Sequence, residues 1–401
     1  MGELRTRKRG KKWEYSFEGA RINGKRQPIS KSGFATKAEA LAAGIQAKAE
    51  YDNCGRIFTP SELSVADYLD YWLENYVKKN CSYNTYNDYE SKIRLHIKPS
   101  LGHYRLSSLE PDIIQKWIDD KKLTGLSKSM TKNILICLSG ALRYAVIPCK
   151  YIKDNPCIYV KAPKMETDRT RLKHTEYICR GKDFEAIIDR FPEGSNFYLP
   201  IMVGYCLGTR IGETYGIDLL EDPDFITGYI NIEHQLKKEN KNWFYRPPKY
   251  ESHRSIKMGN TLPQILKREI TRRKRLMMNY GEYFMKTYKL PDNSIVQFRA
   301  DISVPYKEIM PLSVKENGEL LTPESFKYCA RVIHHELNNP LFHSHCLRHT
   351  HGTILAENGA FPKTVMERLG HKDVKVTMEK YIFNTEKMQD DAMIIFEKNA
   401  W

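Results

Sequence analysis

The chain has 401 residues, 41% of them hydrophobic and 28% charged, with 64 Lys/Arg against 49 Asp/Glu and a formal net charge of +15. That length suggests two or three domains, and no apolar run approaches the roughly 20 residues of a membrane span. Nine scattered cysteines, odd in number and without a CxxC pair, argue against a disulfide frame and for reduced thiols in a cytoplasmic protein. "MGELRTRKRGKKWEY" lacks the apolar stretch of a secretory signal. The charge is uneven: residues 1–60 hold 13 basic and 6 acidic residues. Such an excess fits a polyanionic partner, nucleic acid first, better than a merely solubilising face.

Residues 1–58 predict a small basic sheet backed by one helix. "WEYSFEG" alternates large and polar residues, Asn23-Gly24 is a type I′ hairpin signal, and Thr36 with Glu39 forms a capping box before an Ala-rich helix. A basic sheet of this kind can lie in a major groove. Its candidate DNA contacts are Arg5, Arg7, Lys8, Arg9, Lys11, Lys12, Arg21, Lys25 and Arg26.

Residues 63–158 predict helices only. Behind Ser64 as N-cap, Val65, Tyr68, Leu69, Trp72, Leu73 and Tyr76 recur at helical spacing and form a core stripe. "SYNTYNDYESKIRLHIKPSLG" predicts a second helix stopped by Pro99 and Gly102. "EPDIIQKWIDDKK" and "KSMTKNILICLSGALRYAV" predict two more, and Pro148 with Asn155-Pro156 closes the unit. Residues 159–182 are basic with little apolar periodicity, and read as a linker along a polyanion or as a plain tether. Residues 183–401 open with the apolar helix "FYLPIMVGYCLG". Short strands follow near "YINIEHQ", "NWFYRPPK" and "RSIKMG", then mostly helices to the end.

Three segments carry chemistry. In "GTRIGET", Arg210 sits at a helix break with Glu213 one turn on, and needs an anionic partner. In "HSHCLRHTHGTIL", His345 and Arg348 are three apart and share a helix face. His345 and His349 have the spacing of a zinc helix, yet Cys346 stands where a glutamate would be expected and no carboxylate completes a site. In "LGHKDVKVTMEKY", a helix ends at Gly370, His371 lies in the turn, and Tyr381 follows in the next helix.

The order Arg210, His345-x-x-Arg348, "LGH" with His371 and then Tyr381 resembles the tyrosine recombinase (phage integrase-like) family, most closely integrases of conjugative transposons. The family's "TG-x-R-x-x-E", "H-x-L-R-H-T" and "LGH…T…Y" stand here as "GTRIGET", "HCLRHT" and "LGHKDVKVTMEKY". The resemblance implies a multidomain, mainly α protein. An N-terminal arm-type DNA-binding domain (1–58) precedes an all-helical core-binding domain (63–158), a linker (159–182) and a mixed α/β catalytic domain (183–401). That last domain would be mostly helical with a small antiparallel sheet. A tail from about residue 384, with Met388, Ala392, Ile395 and Phe396 on one face, would dock on a neighbouring subunit. The family also uses a hairpin lysine. Lys249 in "FYRPPKYESHRSIKMG" is the matching position, and Lys238 and Lys241 fit less well.

What the resemblance implies is strand exchange without metal, ATP or other cofactor. Arg210 and Arg348 would grip the non-bridging phosphate oxygens in forked fashion. Tyr381 would attack phosphorus to give a 3′-phosphotyrosyl link, with His345 taking its proton or bonding a phosphate oxygen. His371 would donate to the phosphate and Lys249 would protonate the departing 5′ oxygen. The implied partners are double-stranded DNA at core-type and arm-type sites, a homo-oligomer culminating in a tetramer on DNA, and an excision or host bending factor. Three rivals are weaker: a catalytically dead DNA-binding regulator, a topoisomerase using the same chemistry, and a metal-dependent nuclease.

Overall fold

The computed structural model describes residues 3–18, 28–52, 63–161, 177–371 and 373, with 390–391, 393–394 and 397–398 near the C-terminus. The chain divides into two compact units, Met1–Thr167 and Asp168–Trp401. Among the described residues no helix is long and apolar enough to cross a membrane.

In the first unit, β1 (Arg5–Arg9), β2 (Lys12–Glu18) and β3 (Pro28–Phe34) form an antiparallel sheet in that order. β1 has no signature in the sequence, because RTRKR holds no apolar residue and becomes a strand only by pairing with β2. β2 follows its alternation: Tyr15 and Phe17 are buried under α1 (Lys37–Asp52). Gly44 of that helix lies so near that an added Cβ would stand 2.9 Å from the Tyr15 Cβ. Thr36 accepts from the Glu39 amide at 3.2 Å, while the Glu39 carboxylate accepts from the amide of Ala35 at 3.1 Å, one residue before the expected one. The Asn23-Gly24 turn between β2 and β3 lies outside the described residues.

The helical part begins with α2 (Val65–Trp72), which runs through a π turn (Leu73–Val77) into α3 (Lys78–Asn80). Ser64 caps it, its Oγ accepting from the Asp67 amide at 3.0 Å. The π turn corrects the expected stripe. Val65 to Leu73 are buried as the spacing predicts, but Val77 is buried in place of Tyr76, which is 37% exposed. One extra residue in the turn moves the inward face along by one position. α4 (Tyr83–Lys92) likewise passes through a π turn (Ile93–Ile97) into α5 (Lys98–Leu101). Pro99 therefore does not stop this helix. The wider turn just before it absorbs the ring and the missing N–H that would break a regular helix interior, and the helix ends at Leu101 before Gly102. α6 (Pro111–Leu123) and α7 (Lys128–Val146) complete a core that includes Trp72, Ile93, Ile114, Ile134 and Leu138.

In the second unit, residues 177–180 bury Cys179, whose amide donates to Thr350 Oγ1 at 2.8 Å. α8 (Lys182–Arg190), the apolar α9 (Tyr198–Leu207) and the short α10 (Ile211–Tyr215) follow. Two antiparallel sheets come next. One contains β4 (Pro223–Asp224), β5 (Tyr229–Ile232) and β8 (Arg254–Lys257), in that order. The other joins the hairpin β6 (Gln235–Glu239) and β7 (Asn242–Arg246) to β9 (Met285–Lys289), β10 (Ser294–Arg299) and β11 (Lys307–Ile309), in the order β11-β9-β10-β7-β6. The expectation of mostly helices after "RSIKMG" is thus corrected at 285–309. β9 interleaves lysines with its apolar residues, and the sheet it joins depends on pairing between β10 and the distant β7. α11 (Thr261–Tyr280), α12 (Phe326–Glu336), α13 (Ser344–Glu357) and α14 (Pro362–Leu369) supply the remaining helices used below. α13 packs on α9, where a Cβ on Gly204 would lie 3.1 Å from Leu347 Cδ1.

Candidate active site

Two helices end at glycines with left-handed backbone: α9 at Gly208 (φ 67°) and α14 at Gly370 (φ 68°). Both must be glycine. An added Cβ at Gly208 would lie 2.7 Å from His351 Cδ2 and from Leu369 Cδ2, and one at Gly370 would lie 2.8 Å from Arg254 Nη1. Helix C-termini expose unpaired carbonyls and the negative end of the dipole, and these ends draw in the arginines. Arg348, on α13 and fully buried, donates through Nη1 to Gly208 O at 2.9 Å and through Nη2 to Leu369 O at 2.6 Å. Its Nη2 also lies 2.7 Å from His371 Nε2. A guanidinium only donates, so Nε2 is the acceptor here and the ring proton sits on Nδ1.

Arg210 caps α10. Its backbone N–H donates to Glu213 Oε2 at 3.0 Å, its Nη1 to Glu213 Oε1 at 2.7 Å, and its Nη2 to Gly370 O at 3.2 Å. The side chain is 21% exposed. Arg210 and Arg348 therefore fasten to three consecutive residues, Leu369, Gly370 and His371. Glu213 is buried, which pushes its carboxyl up, but Arg254 and then Arg210 outweigh that and hold it below the usual carboxylate range. The family motif's arginine is thus set by a charged, buried partner.

Of the remaining candidates, His345 is half-buried at the start of α13, one turn before Arg348, with its ring edge-on to His349 at 4.6 Å. Lys249 is exposed in a turn between β7 and β8, its Nζ 4.9 Å from the Tyr250 ring centroid. The segment around it is not one hairpin, since β7 pairs with β6 and β10 while β8 pairs with β5. Lys238 lies on β6, ion-paired with Glu324 at 3.1 Å, and Lys241 follows at the β6–β7 turn. Tyr381 lies outside the described residues, as do Arg21, Lys25 and Arg26. In the first unit, Arg5, Arg7 and Arg9 pair with Ser16, Glu14 and Lys12, so they form one exposed row on the sheet face opposite Tyr15 and Phe17. Lys8 pairs with Trp13 on the helix side, and Lys11 is in the turn. Glu14, only 3% exposed, sits beneath that row, with Arg7 at 3.4 Å and Arg9 at 3.7 Å.

The sequence carried no signal for His351. It is buried between α9 and α14, with Nδ1 2.9 Å from Tyr205 O and Nε2 accepting from Arg368 Nε at 2.8 Å. Burial, with Arg368 beside it, pushes its pKa down to about 3. The unfolded chain takes up this proton below about pH 6.5 while the folded chain refuses it. The neutral ring's contribution is therefore fully present above pH 6.5 and is lost as the pH falls towards 3. At pH 5 the loss is about 2 kcal/mol. His351→Gln keeps one donor and one acceptor without titrating, so its melting temperature should fall less between pH 7 and pH 5 than the parent's. Parallel curves would remove this assignment.

Three family models match the chain: the phage integrase family over residues 181–388, the phage integrase N-terminal SAM-like domain over 64–122, and an arm DNA-binding domain over 5–51. Among relatives, a tyrosine recombinase XerC-like protein of Caldanaerobacter subterraneus subsp. tengcongensis is 22% identical, covering 83% of this chain and 82% of its own. The ICEBs1 integrase of Bacillus subtilis is 25% identical over 75% of each chain. The transposase from transposon Tn916 of Enterococcus faecalis is 24% identical over 72% of this chain and 66% of its own. Among solved structures, the Tn1549 transposon integrase in complex with transposon right end DNA superposes with a TM-score of 0.63 at 21% identity, covering 84% of this chain and all of that one. A lambda integrase tetramer bound to a Holliday junction superposes with a TM-score of 0.53 at 18% identity over 91% of each. These likenesses establish the fold. The first model alone spans more than half of the chain and contains every motif from Arg210 to Tyr381, and the chain belongs to the phage integrase family of tyrosine recombinases.

Proposed function

We propose that this chain is the integrase of a conjugative mobile element, joining and releasing that element by site-specific recombination. One observation carries the reading: Arg210 and Arg348 converge on the Leu369–His371 segment, where the family motif needs a phosphate to be held. The relatives named as integrases and transposon transposases support the class of substrate.

In the proposed reaction the Tyr381 hydroxyl attacks phosphorus in line, a P–O(tyrosyl) bond forms and the P–O5′ bond breaks. The phenolic proton goes to His345, and Lys249 supplies a proton to the departing 5′ oxygen. Arg210 and Arg348 take up the charge that grows on the two non-bridging oxygens. His371 enters this scheme with a condition set by its geometry. Its Nε2 now accepts from Arg348, so it donates to phosphate only after that bond is exchanged and Nε2 carries a proton. The phosphotyrosyl link keeps the bond energy, and a second strand's 5′ hydroxyl reverses the sequence without ATP.

The arm sheet is assigned to arm-type sites through Arg5, Arg7 and Arg9, and the helical region to core-type sites. A tetramer on paired sites, aided by an excision or host bending factor, completes the proposed assembly. Covalent complexes trapped on random genomic DNA would locate the attached 3′ ends. Plasmids bearing two of the mapped sites should then exchange segments, whereas plasmids without them should be neither exchanged nor efficiently relaxed. Relaxation independent of the sites, with no exchange, would replace this reading by a topoisomerase.

A further inference from the structure

Arg254 lies in the stretch that carries Lys249 but has no role in any motif that marks the site, yet its guanidinium touches three of the segments that build it. The side chain is 8% exposed. Nη2 donates to Glu213 Oε2 at 2.7 Å, Nε to the main-chain carbonyl of Arg368 at 2.9 Å, and Nη1 to the carbonyl of Ser252 at 3.1 Å. Each contact leads to a different reacting group. Glu213 holds Arg210 by its backbone and by its guanidinium. Arg368 directly precedes the residues whose carbonyls and ring receive Arg348 and Arg210. Ser252 closes the turn that carries Lys249, its Oγ donating to Lys249 O at 3.0 Å.

That last turn needs an outside anchor. Tyr250 and Glu251 both have left-handed backbone, at φ 64° and 54°, a conformation that costs a non-glycine residue free energy. Two such residues in succession hold only where the surroundings fix the loop, and Arg254 with Ser252 fixes it from below. Gly370 approaches the same guanidinium so closely that a Cβ has no room.

We propose that Arg254 is a positioning residue for strand cleavage, a single joint that sets Arg210, the Leu369–His371 segment and the Lys249 loop relative to one another without touching DNA. Lysine at this position can keep the ion pair to Glu213 but has no planar fork to reach three acceptors. The inference rests on the cleavage reaction proposed above.

The test is single-turnover cleavage of a nicked DNA substrate, beside DNA affinity and the melting transition. Arg254→Lys should bind DNA like the parent and melt somewhat lower, because the Arg368 and Ser252 carbonyls lose their donor, yet well below its melting transition it should cleave about 100-fold more slowly, as expected when reacting groups are misplaced by about 1 Å. A substrate with sulfur at the 5′ bridging position separates the parts, because a thiolate leaves without a proton from Lys249. It should recover part of the loss, and the remainder reports the arginines. A purely structural defect would not respond to the leaving group. Arg254→Gln, which keeps one planar amide donor but loses the fork, should show the same split and the same partial recovery, and carries the test if the lysine variant does not fold. Cleavage at the parent's rate by a folded Arg254→Lys, or a loss that follows DNA affinity alone in both variants, overturns the inference. A parent that forms no covalent adduct removes the reaction itself and the inference with it.

Discussion

Arg348→Lys is expected to reduce strand cleavage by ~10²–10³-fold, the usual consequence of removing one fixed donor from a site where charge develops. The structure says why a conserved charge is not enough. The guanidinium spans Gly208 O, Leu369 O and His371 Nε2 at once, three acceptors from two segments. An ammonium is a point charge on a flexible stem and cannot reproduce that planar spread. Arg348 is fully buried, where an unpaired cation would be costly, so its stability depends on the two helix ends that face it. The lysine variant should therefore also lose about 1–3 kcal/mol of stability as buried carbonyls lose their donors. Measuring cleavage well below the variant's melting temperature, beside DNA affinity, separates the two effects. Near-parental cleavage by the folded variant would mean that Arg348 braces the helix ends and does not hold phosphate.

How much of this was legible beforehand depended on where each residue finds its partner. Arg210 and Glu213, or His345 and Arg348, are separated by one helical turn, so spacing alone places them on shared faces. Gly208 and Gly370 were legible as helix stops because left-handed caps favour glycine. The roles of Arg254, His351 and Arg368 were not legible, although the first two stand in segments the sequence singles out. Arg254 reaches Arg368 O across 114 positions, and His351 reaches Tyr205 O across 146. A main-chain carbonyl has no residue type to recognise. The π turns behaved in the same way. Nothing in "LENYV" or "IRLHI" announces an extra residue per turn, yet one of them exchanges Tyr76 for Val77 in the core and the other carries a helix past Pro99. β1 and β9 were illegible because their strands carry too little apolar alternation to stand out, and each exists through its neighbour.

Tyr381→Phe should abolish covalent protein–DNA adducts on a nicked substrate while leaving DNA binding intact, because it removes one oxygen and almost no apolar surface. A free phenol has a pKa near ~10 and attacks poorly as such. Its reactivity must come from cations close to the phosphate it meets. Two such cations are anchored on residues 369–371, and Tyr381 follows His371 by ten positions. A stretch of that length reaches at most about 35 Å when extended, ample to bring the tyrosine back onto its own cluster or to carry it to a neighbour's. A mixture of the Tyr381→Phe and Arg348→Lys chains distinguishes these cases. A tyrosine used within its own subunit leaves every site in the mixture defective, whereas a donated tyrosine restores cleavage at sites that combine an intact Arg348 with a neighbour's Tyr381. Adducts formed by the phenylalanine variant alone would transfer the nucleophile to another of the 25 tyrosines and break the link between the "LGH" turn and the chemistry assigned to it.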